Sequence, residues 1–456
     1  MEKVQALFGL FVLVALCWAF STARRSISWR LVAWGVGLQL VFAAAILVPD
    51  LGQDVFTAID TAVRKLVSFS EAGATFVFQS VEAHQIDVLK DGIAVPTPII
   101  GAVSPPMKTI AFWVLPTVIF FSALMSILYH YGIMQRVVGV MAKVMQKTMG
   151  SSGAESLSAA ANVFVGQTEA PLLVRPYVAQ MTMSELHCIM VGGFATVAGG
   201  VMAIYVAVVP VDGIAGHLVT ASIISAPAAI AVAKLLVPET GVPVTLGGLH
   251  PERTVDPAPT HVAAASDELL DPAPTTAPGP DGKLDVNGID AIARGAIDGL
   301  KLYLNIVAML FVFYALVNLV NAILGGVGGL VDLELSLELL FGYAFAPFAW
   351  LMGVPLDECV RVGMLLGKKL TLTELMAYLD LGEIQRSAQP LTERTAVITS
   401  YALCGFANFA SVGIQIGGIS AMAPHRRGDL ARLGMRAMFG GTIAAMMTGC
   451  VAALFI

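Results

Sequence analysis

Charge is what this sequence has least of. Only 13% of its 456 residues are Asp, Glu, Lys or Arg, where soluble domains carry roughly a quarter, which excludes a water-soluble globular domain. Cysteine is also thin. Cys17, Cys188, Cys359, Cys404 and Cys450 form neither a C-x-x-C pair nor a disulfide framework and read as small core residues. The seven histidines lack metal-ligand spacing, and neither an HExxH helix nor a glycine-rich phosphate loop occurs. A formal charge of -6 argues against a nucleic-acid partner.

Apolar length is what the chain has in excess. It is 57% hydrophobic with a mean hydropathy of +0.80, and charge-poor stretches of about 20 residues, enough to cross ~30 Å of hydrocarbon as helix, recur throughout. Spans are expected near residues 3–21, 29–49, 106–130, 186–210, 214–237, 298–324, 395–420 and 434–456. Residues 4–20 resemble a signal-peptide core, but no small-residue cleavage site follows them, so they read as a retained first helix. Arg24, Arg25 and Arg30, then Arg136, Lys143 and Lys147, and finally Arg426, Arg427, Arg432 and Arg436 mark cytoplasmic ends. Both termini then face outward from a cell (inner) membrane. Arg386 and Arg394 fall on the outer side and oppose this orientation.

Between the spans, residues 50–105 are too polar to cross and apolar enough for interfacial helices. Residues 239–285, rich in Pro, Thr, Ala and Asp, read as a flexible cytoplasmic loop without transport chemistry. His187 and His217 are expected near helix ends at the interface, and Arg294 and Lys301 at a cytoplasmic helix end with Asp298 paired to one of them.

Two regions, 151–178 and 355–380, interrupt apolar runs with polar clusters and read as re-entrant hairpins, a form tolerated only where backbone is buried in protein or lines a cavity. They share a layout. Met149-Gly150 matches Met352-Gly353, Glu155 matches Glu358, and Thr168-Glu169 matches Thr373-Glu374. Ser184-Glu185 then matches Thr392-Glu393, and Phe194-Ala195 matches Phe406-Ala407. Duplicated broken elements around a midplane site are the pattern of secondary transporters.

Three stretches carry chemistry. In NVFVGQTEAPLLVRP, Gly166 permits a sharp turn, Gln167 supplies an amide, Thr168 a hydroxyl and Glu169 a carboxylate, while Pro171 and Pro176 break continuous helix. This set can read the edge of a heterocycle; the alternative is a loop at the water interface. In GKKLTLTELMAYL, Glu374 suits a pair of ribose hydroxyls, or else an ion pair with Lys368 or Lys369. In YALCGFANFASVGIQIGG, a helix unwound over 405–411 exposes Asn408 and Ser411 beside Phe406, unless the small residues only form a packing seam. Thr196 and Val201 occupy the comparable places in GGFATVAGGVM.

Through GQTEAPLLVRP, TELMAY and ALCGFANFASVGIQIGG, in that order, the sequence resembles the concentrative nucleoside transporters over most of its length. The resemblance implies an all-α polytopic membrane protein with about eight transmembrane helices, two re-entrant hairpins, interfacial helices and inverted repeats. It divides the chain into scaffold (1–131 and 286–328), transport repeats (132–238 and 329–456) and the loop 239–285, assembled as a homotrimer in the bilayer.

It also implies a nucleobase contact at Gly166, Gln167, Thr168 and Glu169, ribose contacts at Glu374, Asn408 and Ser411, and apolar walls at Val201 and Phe406. A sodium ion would be held by the side chains of Asn162 and Thr196 and the carbonyls of Val165 and Val197. Two departures stand out: Thr373 replaces an asparagine common among relatives, and the insertion 239–285 is long.

The expected function is sodium-coupled import of nucleosides such as uridine, cytidine or adenosine by an elevator mechanism, with sodium as coupling ion and no other cofactor. A proton-coupled symporter is the alternative, followed by a nucleoside-gated channel or sensor. No nucleophile-base constellation accompanies the carboxylates, so an enzyme is not expected.

Overall fold

A backbone in hydrocarbon must satisfy its own polar groups, so charge-free apolar stretches become helices. The computed structural model describes residues 2–78, 84–90, 93–99, 109–247, 285–329 and 335–456. Helices α1 (Glu2–Ala19) and α2 (Trp29–Leu47) are the first two crossings, followed by the amphipathic α3 (Pro49–Phe78). After a π-helical turn at Ile110–Val114 come the crossing α4 (Thr117–His130) and the amphipathic α5 (Ile133–Met149). The first hairpin holds α6 (Gly153–Ala161), α7 (Glu169–Leu172) and α8 (Arg175–Val178). A broken crossing, α9 (Met183–Ala195) and α10 (Gly199–Val208), leads into α11 (Ile214–Leu236).

The second half repeats the plan. After the long α12 (Gly288–Gly329), α13 (Leu337–Leu351) turns through 117° into α14 (Leu356–Thr371). Helices α14 and α15 (Glu374–Arg386) form the second hairpin. A second broken crossing, α16 (Glu393–Leu403) and α17 (Phe409–Met422), precedes α18 (Arg427–Phe455). Among the described residues, seven helical stretches are long and apolar enough to span a bilayer. The expected span at 395–420 is instead the pair α16 and α17, each short by itself.

Residues 84–99 depart from the expected interfacial helices. Strands β1 (His84–Lys90) and β2 (Ile93–Ile99) pair antiparallel, with Val88 opposite Val95. Pro96 and Pro98 remove helix donors there, while Ile86, Val88 and Val95 suit a strand. Most of the 239–285 segment lies outside the described residues, but its start is no free loop. Thr245 accepts from Gly153 N at 2.9 Å through its carbonyl and from Ala154 N at 3.1 Å through its hydroxyl, clasping the first turn of α6.

Burial separates the helices. The most apolar stretches of α9–α10 and α11 are 83% and 89% buried, against 6% for α12. His187 and His217 do lie near the starts of α9 and α11, and both are buried in the protein, His217 with Nδ1 3.1 Å from the Tyr401 hydroxyl. Arg294 does join the end of α12 to Asp285 at 2.6 Å, with Asp298 at 3.7 Å. Glycines set which helices meet. A Cβ at Gly295 or Gly299 of α12 would strike α4 at Ser126, Ala123 or Ile119, and one at Gly9 of α1 would strike the Leu351 carbonyl of α13.

The two breaks also meet each other. Gly405 has φ +154°, and a Cβ there would fall 2.7 Å from the Phe194 carbonyl oxygen and 3.1 Å from that of Ala195. We expect Gly405→Ala to lower stability by about 1–3 kcal/mol through overpacking against backbone that cannot rotate away. Thermal unfolding in detergent checks this, with a fall in Tm expected; an unchanged Tm would mean that the breaks separate easily.

Candidate functional site

The helix that follows the second break is started by a residue that also reaches Glu374. Asn408 caps α17, its Oδ1 accepting from Ser411 N at 2.8 Å. Its other amide atom, Nδ2, donates to Glu374 Oε2 at 3.1 Å. Thr373 caps α15 through Met376 N at 3.4 Å, which places Glu374 at the first position of that helix, where the helix dipole favours a carboxylate. Tyr205, from α10 in the other repeat, donates to Glu374 Oε1 at 2.9 Å. Glu374 is only 4% exposed, so both of its oxygens are held inside the protein.

The first hairpin meets the same turn of α17. Gln167 Nε2 donates to Ser411 Oγ at 3.2 Å, and Gln415 Nε2 donates to Gln167 Oε1 at 3.0 Å and to the Met190 carbonyl at 3.2 Å. A Cβ at Gly193 would strike Gln415 Nε2 at 2.7 Å and Gln167 Cβ at 2.9 Å, so the glycine opens α9 to this amide pair. The structure thus brings Gln167, Glu374, Asn408 and Ser411 into one network. Val201 is buried one turn before Tyr205 on the same face of α10, and Phe406 is half-buried in the break, its carbonyl accepting from Asn408 N at 2.9 Å.

Three tip residues stand apart from that network. Gly166 turns the chain, its carbonyl accepting from Glu169 N and Ala170 N, and Thr168 packs its methyl against Gly418 of α17. The exposed Glu169 folds its carboxylate back over Gly166, within electrostatic reach of Tyr129 and Asp298.

Neither neighbouring lysine pairs with Glu374 within ion-pair distance. Lys368 binds Asp380, and Lys369 donates to the Ala402 carbonyl at 2.9 Å.

Beneath the tip, Asn162 ends α6 fully buried, and neither amide atom has a hydrogen-bond partner. Its Nδ2 faces Gly192 of α9, whose carbonyl accepts from Thr196 Oγ1 at 2.9 Å. Val197, fully buried, lies in the break, and Val165, half-buried, lies in the tip; the two segments are tied by Gly199 N donating to the Phe164 carbonyl at 3.1 Å. A buried amide oxygen without a partner is a fit for a small hard cation.

The hairpin bases are anchored differently. In the first, Lys234 of α11 bonds Glu155 Oε1 at 2.5 Å, Glu239 at 3.0 Å and Ser184 Oγ at 2.9 Å. Burial pushes the Glu239 carboxyl up, but the Lys234 ammonium outweighs this and holds it below its ordinary range. In the second, Glu358 accepts from Thr392 N at 2.7 Å and from its hydroxyl at 3.0 Å.

Residues 217–453 match the family described as Na+ dependent nucleoside transporter C-terminus, residues 8–81 match its N-terminus, and residues 111–210 match a nucleoside recognition module. This chain belongs to the Na+-dependent nucleoside transporters. It is 40% identical over 461 residues to an uncharacterized transporter of Haemophilus influenzae, covering 100% of this chain and 98% of that one. To sodium/nucleoside cotransporter 1 of Homo sapiens it is 36% identical over 475 residues, covering 99% of this chain and 64% of that longer protein. Its fold is similar to that of CNTnw in an inward-facing substrate-bound state, with TM-score 0.83, 35% identity and coverage of 100% and 98%. A substituted CNTnw in an outward-facing state gives TM-score 0.84 at 36% identity, covering 100% of this chain and 98% of that one. Members of this family are transporters rather than enzymes, and apart from the β1–β2 pair the expected helical multi-pass architecture is the one found.

Gln415, Tyr205 and Gly193 went unread in the sequence. Gln415 had a signal: it is a polar residue in an apolar helix, four positions after Ser411 and so on the same face.

Proposed function

We propose that this transporter imports nucleosides together with sodium, by an elevator-type alternation between outward and inward openings. The observation that supports this best is the buried carboxylate of Glu374, held at one oxygen by Tyr205 and at the other by Asn408. A carboxylate accepts about four hydrogen bonds, so one place on each oxygen remains for a donor, and vicinal ribose hydroxyls supply two. One turn along α17, Ser411 joins Gln167 of the first hairpin, whose amide is suited to a base edge. Val201 and Phe406 are the apolar walls. Gly166, Thr168 and Glu169 complete the base side when the tip closes. Uridine, cytidine and adenosine all present this pairing of base edge and diol.

Sodium enters as a co-substrate held by Asn162, Thr196 and the carbonyls of Val165 and Val197. Leaving an amide unpaired inside a protein costs about 1–3 kcal/mol, which cation binding at Asn162 relieves. Asn162 and Gln167 belong to the same tip, so ordering it by the cation readies the amide for the base. By linkage the nucleoside raises sodium affinity equally.

The moving unit is the two hairpins with the broken helices, residues 132–238 and 329–456. The scaffold is centred on α4 and α12, locked together at Gly295 and Gly299. Although α1 and α2 fall within the 1–131 scaffold segment, α1 leans on α13 and α18, and α2 on α11. The bare faces of α12 meet lipid and the other subunits of a homotrimer in the cell (inner) membrane. Both termini lie outside; Arg394 and Arg386 do not oppose this strongly, since each is committed to backbone carbonyls, Arg394 at Gly353 and Ala453 and Arg386 at Val208.

The deciding experiment is uptake of labelled uridine into proteoliposomes with sodium and proton gradients imposed separately. Uphill accumulation driven by sodium alone is expected; uptake that follows only the proton gradient identifies a proton symporter, and equilibration without accumulation a channel. Glu374→Gln should cut uridine uptake at least about tenfold, the loss of a charge-assisted hydrogen bond, while the protein remains folded by size-exclusion chromatography. Undiminished uptake would remove Glu374 from the site. Sodium should also raise the Tm of the wild type in detergent relative to choline, since a ligand bound only to the folded state stabilises it. Asn162→Leu should abolish that increment, and its persistence would place the cation elsewhere.

A further inference from the structure

Tyr205 and Tyr378 are fully buried and stacked, with ring centroids 4.1 Å apart and planes inclined by 17°. Tyr205 belongs to α10 of the first repeat and Tyr378 to the second hairpin, so the stack bridges the repeats. Tyr378 follows Glu374 by four residues, one turn along the same face of α15. The Tyr378 hydroxyl is fixed to the Ser400 carbonyl of α16 at 2.6 Å. A phenol ring packed flat on it cannot swing, and its hydroxyl is delivered to Glu374 Oε1 at 2.9 Å. The carboxylate is thereby gripped from both repeats, by Tyr205 on one oxygen and by Asn408 on the other.

We infer that Tyr205 is a positioning residue for recognition of the ribose diol: it locks the carboxylate plane of Glu374 so that one acceptor site on each oxygen is presented to two adjacent hydroxyls. Without its hydroxyl the carboxylate is held at a single oxygen and pivots about Asn408. A ligand that needs both acceptors at once then loses most of its advantage. A ligand without the diol loses little, because the apolar stack and the amide pair at Gln167 are unchanged. The inference rests on the reading of Glu374 as the ribose acceptor.

Equilibrium binding of uridine and of 2′,3′-dideoxyuridine to purified protein at saturating sodium tests it. The wild type should prefer uridine; if it binds both alike, the reading of Glu374 itself fails, whatever Tyr205 does. In Tyr205→Phe, which keeps the stack, uridine affinity should fall about tenfold, as for one charge-assisted hydrogen bond, and dideoxyuridine affinity by less than about twofold. In a Glu374→Gln background, adding Tyr205→Phe should cause no further selective loss, since interacting residues are not additive. An equal weakening of both ligands, or loss of binding to both by folded protein, assigns Tyr205 a purely structural role and overturns the inference. Unchanged uridine affinity overturns it as well.

Discussion

Everything near the centre of this molecule depends on two interrupted helices touching at their interruptions. The absent side chain of Gly405 lets its backbone lie against the carbonyls of Phe194 and Ala195. At that crossing α9 and α16 both stop, and α10 and α17 start again after a few non-helical residues. Continuous helices would consume their own polar groups. The interruption leaves helix ends at membrane depth that need partners, and nearby Asn408, Thr196 and Glu374 meet or use that need. Polarity inside the bilayer is thus a product of the chain path, with few ionised groups required to create it.

Where the chain had to do something unusual, the sequence was legible. Gly166-Gln167-Thr168-Glu169, Thr373-Glu374 and the 404–411 segment put polar residues where lipid forbids them, and each marks an element that stops or turns. What could not be read is what depends on proximity between distant segments. Tyr205 looks like any aromatic in an apolar helix until α15 is brought against α10. Lys369 looks like a partner for Glu374 until the hairpin aims it at the Ala402 carbonyl. The burial of His187 and His217 was equally hidden, since polarity alone suggested water and only the packed helices show both side chains enclosed by protein. The strands at 84–99 were missed for another reason: helix was expected throughout a strongly helical chain, although Pro96 and Pro98 argued locally against it.

The repeats have kept geometry and changed chemistry. Both hairpins begin beside a glutamate that secures the hairpin base, but Glu155 does so through a buried ammonium and Glu358 through a threonine hydroxyl and amide. A buried ion pair is costly to break from one side, whereas charge-assisted hydrogen bonds to a carboxylate leave no second charge stranded when they break. The tips diverge similarly. The first carries an unpartnered amide at Asn162, and the second carries a carboxylate at Glu374 held by one donor on each oxygen.

Asn408 spends its oxygen on a helix end and its nitrogen on Glu374. Aspartate at this position would set a second negative charge against the first, and a hydroxyl residue would be too short for both tasks. One side chain therefore ties the start of a crossing helix to the placement of the Glu374 carboxylate, so that neither can shift without the other.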